Sequence, residues 1–191
     1  EILDVFERER LCRKITVGAV ASVVLAMCLW AGYMLNNRTP EVILLSENGT
    51  RGKLAHVEYS ITSEAESVCA VTGCEKVAKP VIEERVSING KKYKVTQVAD
   101  SAFYGNEKLS SIILPDGITS IGRTSFALCR NLQTFAFPSG ITEIPVGCLH
   151  HNPSLKKVVI PEGVIRIDAD AFACCTSLEE VVLPSTLESI G

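Results

Sequence analysis

In the second half of the chain the apolar positions return every 23 residues, from Val95 to the last residue, without a slip of register. Four copies span residues 95–117, 118–140, 141–163 and 164–186, and residues 187–191 open a fifth. The fourth position of the repeat holds Val98, Ile121, Ile144, Ile167 and Ile190, and the ninth holds Phe103, Phe126, Leu149 and Phe172. Leu109, Leu132, Leu155 and Leu178 share a third slot, and Pro115, Pro138, Pro161 and Pro184 close each apolar run. A fixed period in the twenties is the mark of a solenoid. A unit this short cannot bury its apolar face alone, so the copies must stack into a common core. Within the second copy, Ile118 and Ile121 read as a short strand and Gly122 as a turn. Residues 124–128 read as a helical or 3₁₀ turn that buries Phe126. Leu132, Phe135 and Phe137 then point inward from a second strand that Pro138 ends.

Side chains between the inward positions should form outward rows. One row is Ser111, Thr134, Lys157 and Glu180, and another is Gln97, Ser120, Glu143, Arg166 and Ser189. Stacking predicts that Lys157 faces Glu180 and Glu143 faces Arg166, each pair contributing about 0.2–1 kcal/mol and fixing register. A further row, Ile113, Ala136, Val159 and Val182, is apolar although its face should be solvated. Contiguous exposed apolar surface marks partner sites. Ile113, Ala136, Val159 and Val182, flanked by Thr134, Lys157 and Glu180, are therefore the candidate partner-binding face.

Upstream the periodicity changes. Residues 15–35 form an uncharged apolar run, the length that spans a bilayer as one helix. Arg8, Arg10, Arg13 and Lys14 precede it and only Arg38 follows closely, which predicts a cytoplasmic N-terminus and repeats outside. Residues 1–14 are then a cytoplasmic tail, cut short because the first residue is not methionine. Residues 36–53 read as a polar linker with a short strand near Val42. Two sequons, at Asn37 and Asn48, lie in that linker. From residue 54 the pattern alternates with period two: Val57, Tyr59 and Ile61 predict a half-buried strand, with further strands near 68–71 and 81–88. Asn89-Gly90 predicts a hairpin turn. Residues 54–92 are thus a small β cap, which the first rung of a solenoid needs to cover its apolar end. Because residue 191 falls inside a repeat, further repeats or another domain are expected beyond it.

The phrase Ile121-Gly122 … Ser125-Phe126-Ala127-Leu128-Cys129-Arg130-Asn131-Leu132 … Phe137-Pro138 resembles the BspA-like leucine-rich repeat family. Asp170-Ala171-Phe172-Ala173-Cys174-Cys175 … Leu178-Glu179-Glu180-Val181-Val182-Leu183-Pro184 matches that pattern more closely still. The third copy departs from it, with Pro145 where the family favours glycine and Leu149 where phenylalanine is usual. The resemblance covers residues 93–191. It implies a mainly β solenoid with short helical turns, a right-handed leucine-rich repeat stack, and a surface-exposed adhesion or binding module.

Charge adds an exclusion: residues 94–191 carry seven Lys or Arg against ten Asp or Glu, scattered along the repeats. No electrostatic footprint for nucleic acid is present. Cys129 and Cys175 share a slot two copies apart, so stacked strands separate them by roughly 10 Å, too far for a disulfide. Cys69 and Cys74 are close enough in sequence to be either bridged or free. His150 and His151 are adjacent and should point apart, with no third ligand spaced for a metal, so they read as solvated loop residues. Neither a nucleophile elbow nor a phosphate-binding glycine loop occurs. Gly117, Gly140 and Gly163 recur where the solenoid turns and backbone freedom is needed. The reading is a membrane-anchored, non-enzymatic module with no cofactor or metal. It binds extracellular protein or glycan and takes no small-molecule substrate. The alternative is a structural or signalling receptor whose cytoplasmic part precedes residue 1.

Overall fold

A computed structural model describes residues 39–44 and 49–191. The expected tail and membrane span, residues 1–14 and 15–35, and both sequon asparagines, Asn37 and Asn48, lie outside the described residues. Among the described residues no helix is long and apolar enough to cross a membrane. They form thirteen strands and no helix.

Six strands build the cap: β1 (Ile43–Leu44), β2 (Arg51–Leu54), β3 (Val57–Ser63), β4 (Val68–Cys74), β5 (Arg85–Ile88) and β6 (Lys91–Val98). The first four run antiparallel in order, β6 lies parallel to β4, and β5 pairs antiparallel with β6. Alternation is visible in β3, where Val57 and Tyr59 are buried between less buried neighbours. The β5–β6 hairpin turns through Asn89 and Gly90 at φ values of 54° and 72°, the left-handed pair that suits a twisted hairpin. The sheet begins upstream of residue 54, because β2 in the expected linker pairs with β3 along its whole length.

β6 then becomes the first rung of the stack. β7 (Ser120–Ile121) pairs with it in parallel, and β9 (Glu143–Ile144), β11 (Arg166–Ile167) and β13 (Ser189–Ile190) form a parallel ladder. A second parallel ladder joins β8 (Thr134–Ala136), β10 (Lys157–Val159) and β12 (Glu180–Val182). Between β7 and β9 the pairing is interrupted. In the other rungs this corner is closed by an N–H: Gly122 donates to Val98, Asp168 to Ile144 and Gly191 to Ile167, each at 2.8 Å. Pro145 occupies that position in the third copy and has no N–H to give.

The expected helical turns are absent. Ser101, Thr124 and Asp170 take positive φ at the seventh slot, as Gly147 does, and Leu128, His151 and Cys174 do so at the eleventh, as Gly105 does. Alternating backbone hands cannot make a helix. They aim alternate N–H groups at the next rung instead: Ser101 to Arg123, Phe103 to Ser125 and Gly105 to Ala127, at 2.8–2.9 Å. The following rungs repeat this, with Phe126 donating to Cys148 at 3.0 Å and Leu149 to Ala171 at 2.8 Å. The N–H groups in between bond back three residues within their own turn, as Tyr104 does to Ser101. The turn edge is thus a third ladder, and it ties the second rung to the third even where the pairing of β7 with β9 is interrupted.

Inside, Phe103 stacks on Phe126 with centroids 4.9 Å apart, and Phe126 meets Phe135 at 4.8 Å. Phe126, Leu132, Leu155 and Val158 are fully buried, and each such side chain contributes roughly 1.5–3 kcal/mol before entropy is subtracted. On the outer face of the last described rung, Val181, Leu183 and Ile190 are exposed although they occupy core slots. Glycine has two different uses here. Gly163 takes φ +100°, whereas a Cβ on Gly140 would come 2.8 Å from the Ile118 carbonyl of the previous rung. The second requirement is close approach of two coils, not the backbone freedom expected.

The twelfth slot carries Asn106, Cys129, Asn152 and Cys175, all buried. Each donates to a carbonyl one rung earlier: Cys129 Sγ to Phe103 at 3.2 Å, Asn152 Nδ2 to Phe126 at 2.9 Å, Cys175 Sγ to Leu149 at 3.1 Å. Asn106 Nδ2 does the same to Val77 of the cap at 3.2 Å. The cap therefore serves as a preceding rung. Val71 accepts from Ala99 at 2.8 Å and Ala78 from Ser110 at 2.9 Å. Replacing Asn152 with alanine leaves the Phe126 carbonyl without this donor and should cost about 1–3 kcal/mol. Asn152→Cys should recover part of that loss, because cysteine fills the same role in the adjoining rungs. Chemical denaturation of both variants checks this, and equal losses would remove hydrogen bonding as the reason for the slot.

Candidate binding face

In the ladder β8–β10–β12, the first two strands alternate strictly, while β12 on the last described rung is exposed throughout. Phe135 and Val158 point inward and are buried, while Thr134, Ala136, Lys157 and Val159 point outward. Parallel register aligns Thr134, Lys157 and Glu180 in one outward row and Ala136, Val159 and Val182 in the next. Both rows stand where the repeat predicts them. Ile113 continues the apolar row toward the cap and is 87% exposed, against 37% for Val159 and 42% for Val182. The cap lengthens it further, since Val81 bridges Ile113 in parallel and is itself 72% exposed. That addition was not legible in the repeat, because Val81 lies outside it and reaches the ladder only through the cap fold.

Charges on this face are balanced locally. Lys157 Nζ lies 2.8 Å from Glu180, and on the neighbouring ladder Arg166 lies 2.9 Å from Glu143 and 3.0 Å from Asp168. Both cross-rung pairs are the ones that stacking predicts. They are exposed, so each contributes about 0–1 kcal/mol and serves register more than stability. At the cap end, Pro80, Val81, Ile82, Ile112, Ile113 and Pro115 line a groove of about 440 Å³. Lys79 and Glu84 also border it. The arrangement offers an apolar strip with a self-neutralised rim, suited to an apolar ridge on a partner rather than to a highly charged polymer.

The thiols provide no nucleophile in this region. Cys69 and Cys74 are free. They lie on the same strand, β4, whose extended backbone sets them roughly 16 Å apart and forbids a bridge. Burial pushes the thiols of Cys69, Cys129 and Cys148 up to about 12 and that of Cys74 to about 11. A reactive cysteine needs the opposite shift. Buried Cys129 and Cys175 instead act as hydrogen-bond donors, which agrees with the small structural slot that the repeat assigns them.

The two histidines behave differently from expectation. Their rings pack edge to face with centroids 4.2 Å apart, and Cys174 of the next rung joins them, with one donor atom from each residue within 4.8 Å of the others. The sequence did carry a signal for this neighbour, because Cys174 follows His151 by one 23-residue period.

Raised thiol values also set a pH dependence. In the unfolded chain these cysteines ionise near an ordinary value of 9.0, while in the fold Cys69, Cys129 and Cys148 hold their protons to about 12. The unfolded state therefore loses protons first, and stability should fall as pH rises from about 9 through about 12. Urea midpoints measured across that range check the sign. A stability that stays flat, or rises, would contradict the burial of these thiols.

A model of the BspA type leucine rich repeat region matches residues 84–191 in six copies, one more than the strict 23-residue register counts. Among solved structures, a leucine rich cell surface protein from Faecalibacterium prausnitzii A2-165 is 31% identical. The alignment covers 72% of this chain and 34% of that one, with a TM-score of 0.63. A leucine-rich repeat protein from Eubacterium ventriosum ATCC 27560 shares the fold at 22% identity. That alignment covers 78% of this chain and 43% of the other, with a TM-score of 0.56. The chain thus spans about a third of the first of these proteins and less than half of the second. No significant match is found among curated proteins.

Proposed function

The chain belongs to the BspA-type leucine-rich repeat family, a family of surface proteins, and from that premise we propose that it is a membrane-anchored adhesion or binding module facing out of the cell. The binding surface is the outward face of β8, β10 and β12, extended by Ile113 and Val81. A single observation carries this reading: four apolar side chains, Ile113, Ala136, Val159 and Val182, hold an outward row on four successive rungs. Nothing in stacking requires them to be apolar, since their neighbours in the adjacent outward row are polar or charged. Isolated exposed apolar residues need no explanation, but a contiguous strip does.

Binding here is rigid-body docking onto a preformed surface. The strip sits on a hydrogen-bonded ladder, so a partner does not have to order it, and most of the entropic cost of induced fit is avoided. Lys157 and Glu180 flank the strip and would set orientation. The partner class this favours is an extracellular protein or a glycan with an apolar face, and the role is binding without catalysis. The anchor is the apolar run at residues 15–35, with the repeats outside, following the charge asymmetry around that run.

Screening the intact protein against an array of extracellular proteins and glycans should identify a ligand, and the variant V159S/V182S should bind it at least about tenfold more weakly while melting at nearly the same temperature. Both residues are exposed, so stability should change little. Undiminished binding by that variant would move the site elsewhere. In cells, an epitope inserted at the exposed pair Glu107-Lys108 should be digestible from outside, and protection of that epitope until the membrane is opened would reverse the proposed orientation.

A further inference from the structure

On the turn edge, away from the apolar strip, His150, His151 and Cys174 bring two imidazoles and a thiol together across two rungs. We propose that these three residues form a surface site for a borderline-soft transition-metal ion of the Zn²⁺ type, with two nitrogen ligands, one sulfur ligand and an open fourth position.

The geometry rests on the third ladder. His151 and Cys174 occupy the same slot on successive rungs with nearly equal backbone angles, φ 55° and 59°, so their side chains leave the backbone in the same sense. The rungs are clamped at this point, with the His151 N–H donating to Ala173 at 2.9 Å and the Leu149 N–H to Ala171 at 2.8 Å. His150 is held from the other side, accepting from Leu128 at 2.9 Å and donating to Gly147 at 3.0 Å. One donor atom from each of the three residues already lies within 4.8 Å of the other two. Tetrahedral zinc, with bonds of about 2.0–2.3 Å, requires its ligands about 3.3–3.7 Å apart. Closing that gap takes a side-chain rotation of about an ångström by groups that are exposed or half-buried, with no backbone movement.

Chemistry favours the assignment too. Among the described residues, none of the three side chains makes a hydrogen bond, so a metal displaces no existing partner. Two imidazoles and a thiolate suit zinc or cuprous copper and suit calcium or magnesium poorly. Beside the cluster, a groove of about 370 Å³ lined in part by Arg130, Pro153 and Thr176 leaves room for a water as the fourth ligand. Ligation would take Cys174 as thiolate and both histidines neutral, releasing the thiol proton to solvent. It would also staple the third rung to the fourth, so the metal-bound stack should melt higher as metal is added, the gain growing with the logarithm of metal concentration once the site is filled.

The test is titration of the reduced full-length protein with Co²⁺ and Zn²⁺. Cobalt should produce a thiolate-to-metal charge-transfer band, and zinc should displace it and raise the melting temperature. C174G should abolish the band and weaken zinc binding at least about tenfold. Its fold is safe, since Gly105 occupies the same left-handed slot in the first repeat. H150Q and H151N, which keep the backbone conformations accessible, should each weaken binding as well. Absence of the band, its persistence in C174G, or an unchanged band in both histidine variants would each overturn the proposal, the second by tracing the binding to other cysteines and the third by showing that neither histidine is a ligand.

Discussion

Every backbone N–H and C=O that a coil turns toward its neighbours has to find a partner there, because water cannot follow it into the stack. In this protein the partner is nearly always one rung away. The two strand ladders supply it along the sides, and the turn edge supplies it by alternating left- and right-handed residues so that every second N–H faces the next coil. The exact 23-residue spacing is the sequence form of that requirement. A one-residue insertion would misalign all three edges at once. Apolar burial drives the collapse, and hydrogen bonding between rungs dictates the register in which it happens.

Several oddities of composition become ordinary under that constraint. Asparagine and cysteine alternate in the twelfth slot because both can reach back to a buried carbonyl of the previous rung. Cysteines held there are donors, and burial keeps them protonated and inert. Pro145 is the exception that locates the rule: removing one N–H at one corner interrupts pairing between β7 and β9 while the other two edges continue. The cap is a rung with different connectivity. It offers carbonyls of Val71, Val77 and Ala78 where an earlier repeat would offer its own, and so it seals the stack with hydrogen bonds as well as with apolar cover.

Much of the architecture was legible in the chain. Periodicity located the core residues, the outward rows and both cross-rung ion pairs, since fixed spacing places equivalent side chains above one another. What it misjudged was the turn between the strands. Compact residues around Phe126 look helical by spacing, but hydrogen bonding to the next rung outweighs local helix closure, and the left-handed residues Thr124 and Leu128 carry no signature that spacing alone reveals. Local reasoning failed at the histidines for a related cause: adjacency along the chain argued for separation, while the nearest third ligand, Cys174, is adjacent only through the stack. Val81 was hidden similarly, because its place on the apolar strip depends on how the cap folds.

Native-state hydrogen exchange, resolved by residue, tests the role of the turn edge most directly. If that edge is a third ladder, the amides of Ser101, Phe103, Gly105, Thr124, Phe126 and Leu128 should exchange as slowly as those of the strand ladders, and all should open together as one cooperative stack. If those amides exchange at the rate of exposed turns while the strands stay protected, the rungs are joined along the strands alone, and hydrogen bonding on the turn edge does not set the 23-residue register.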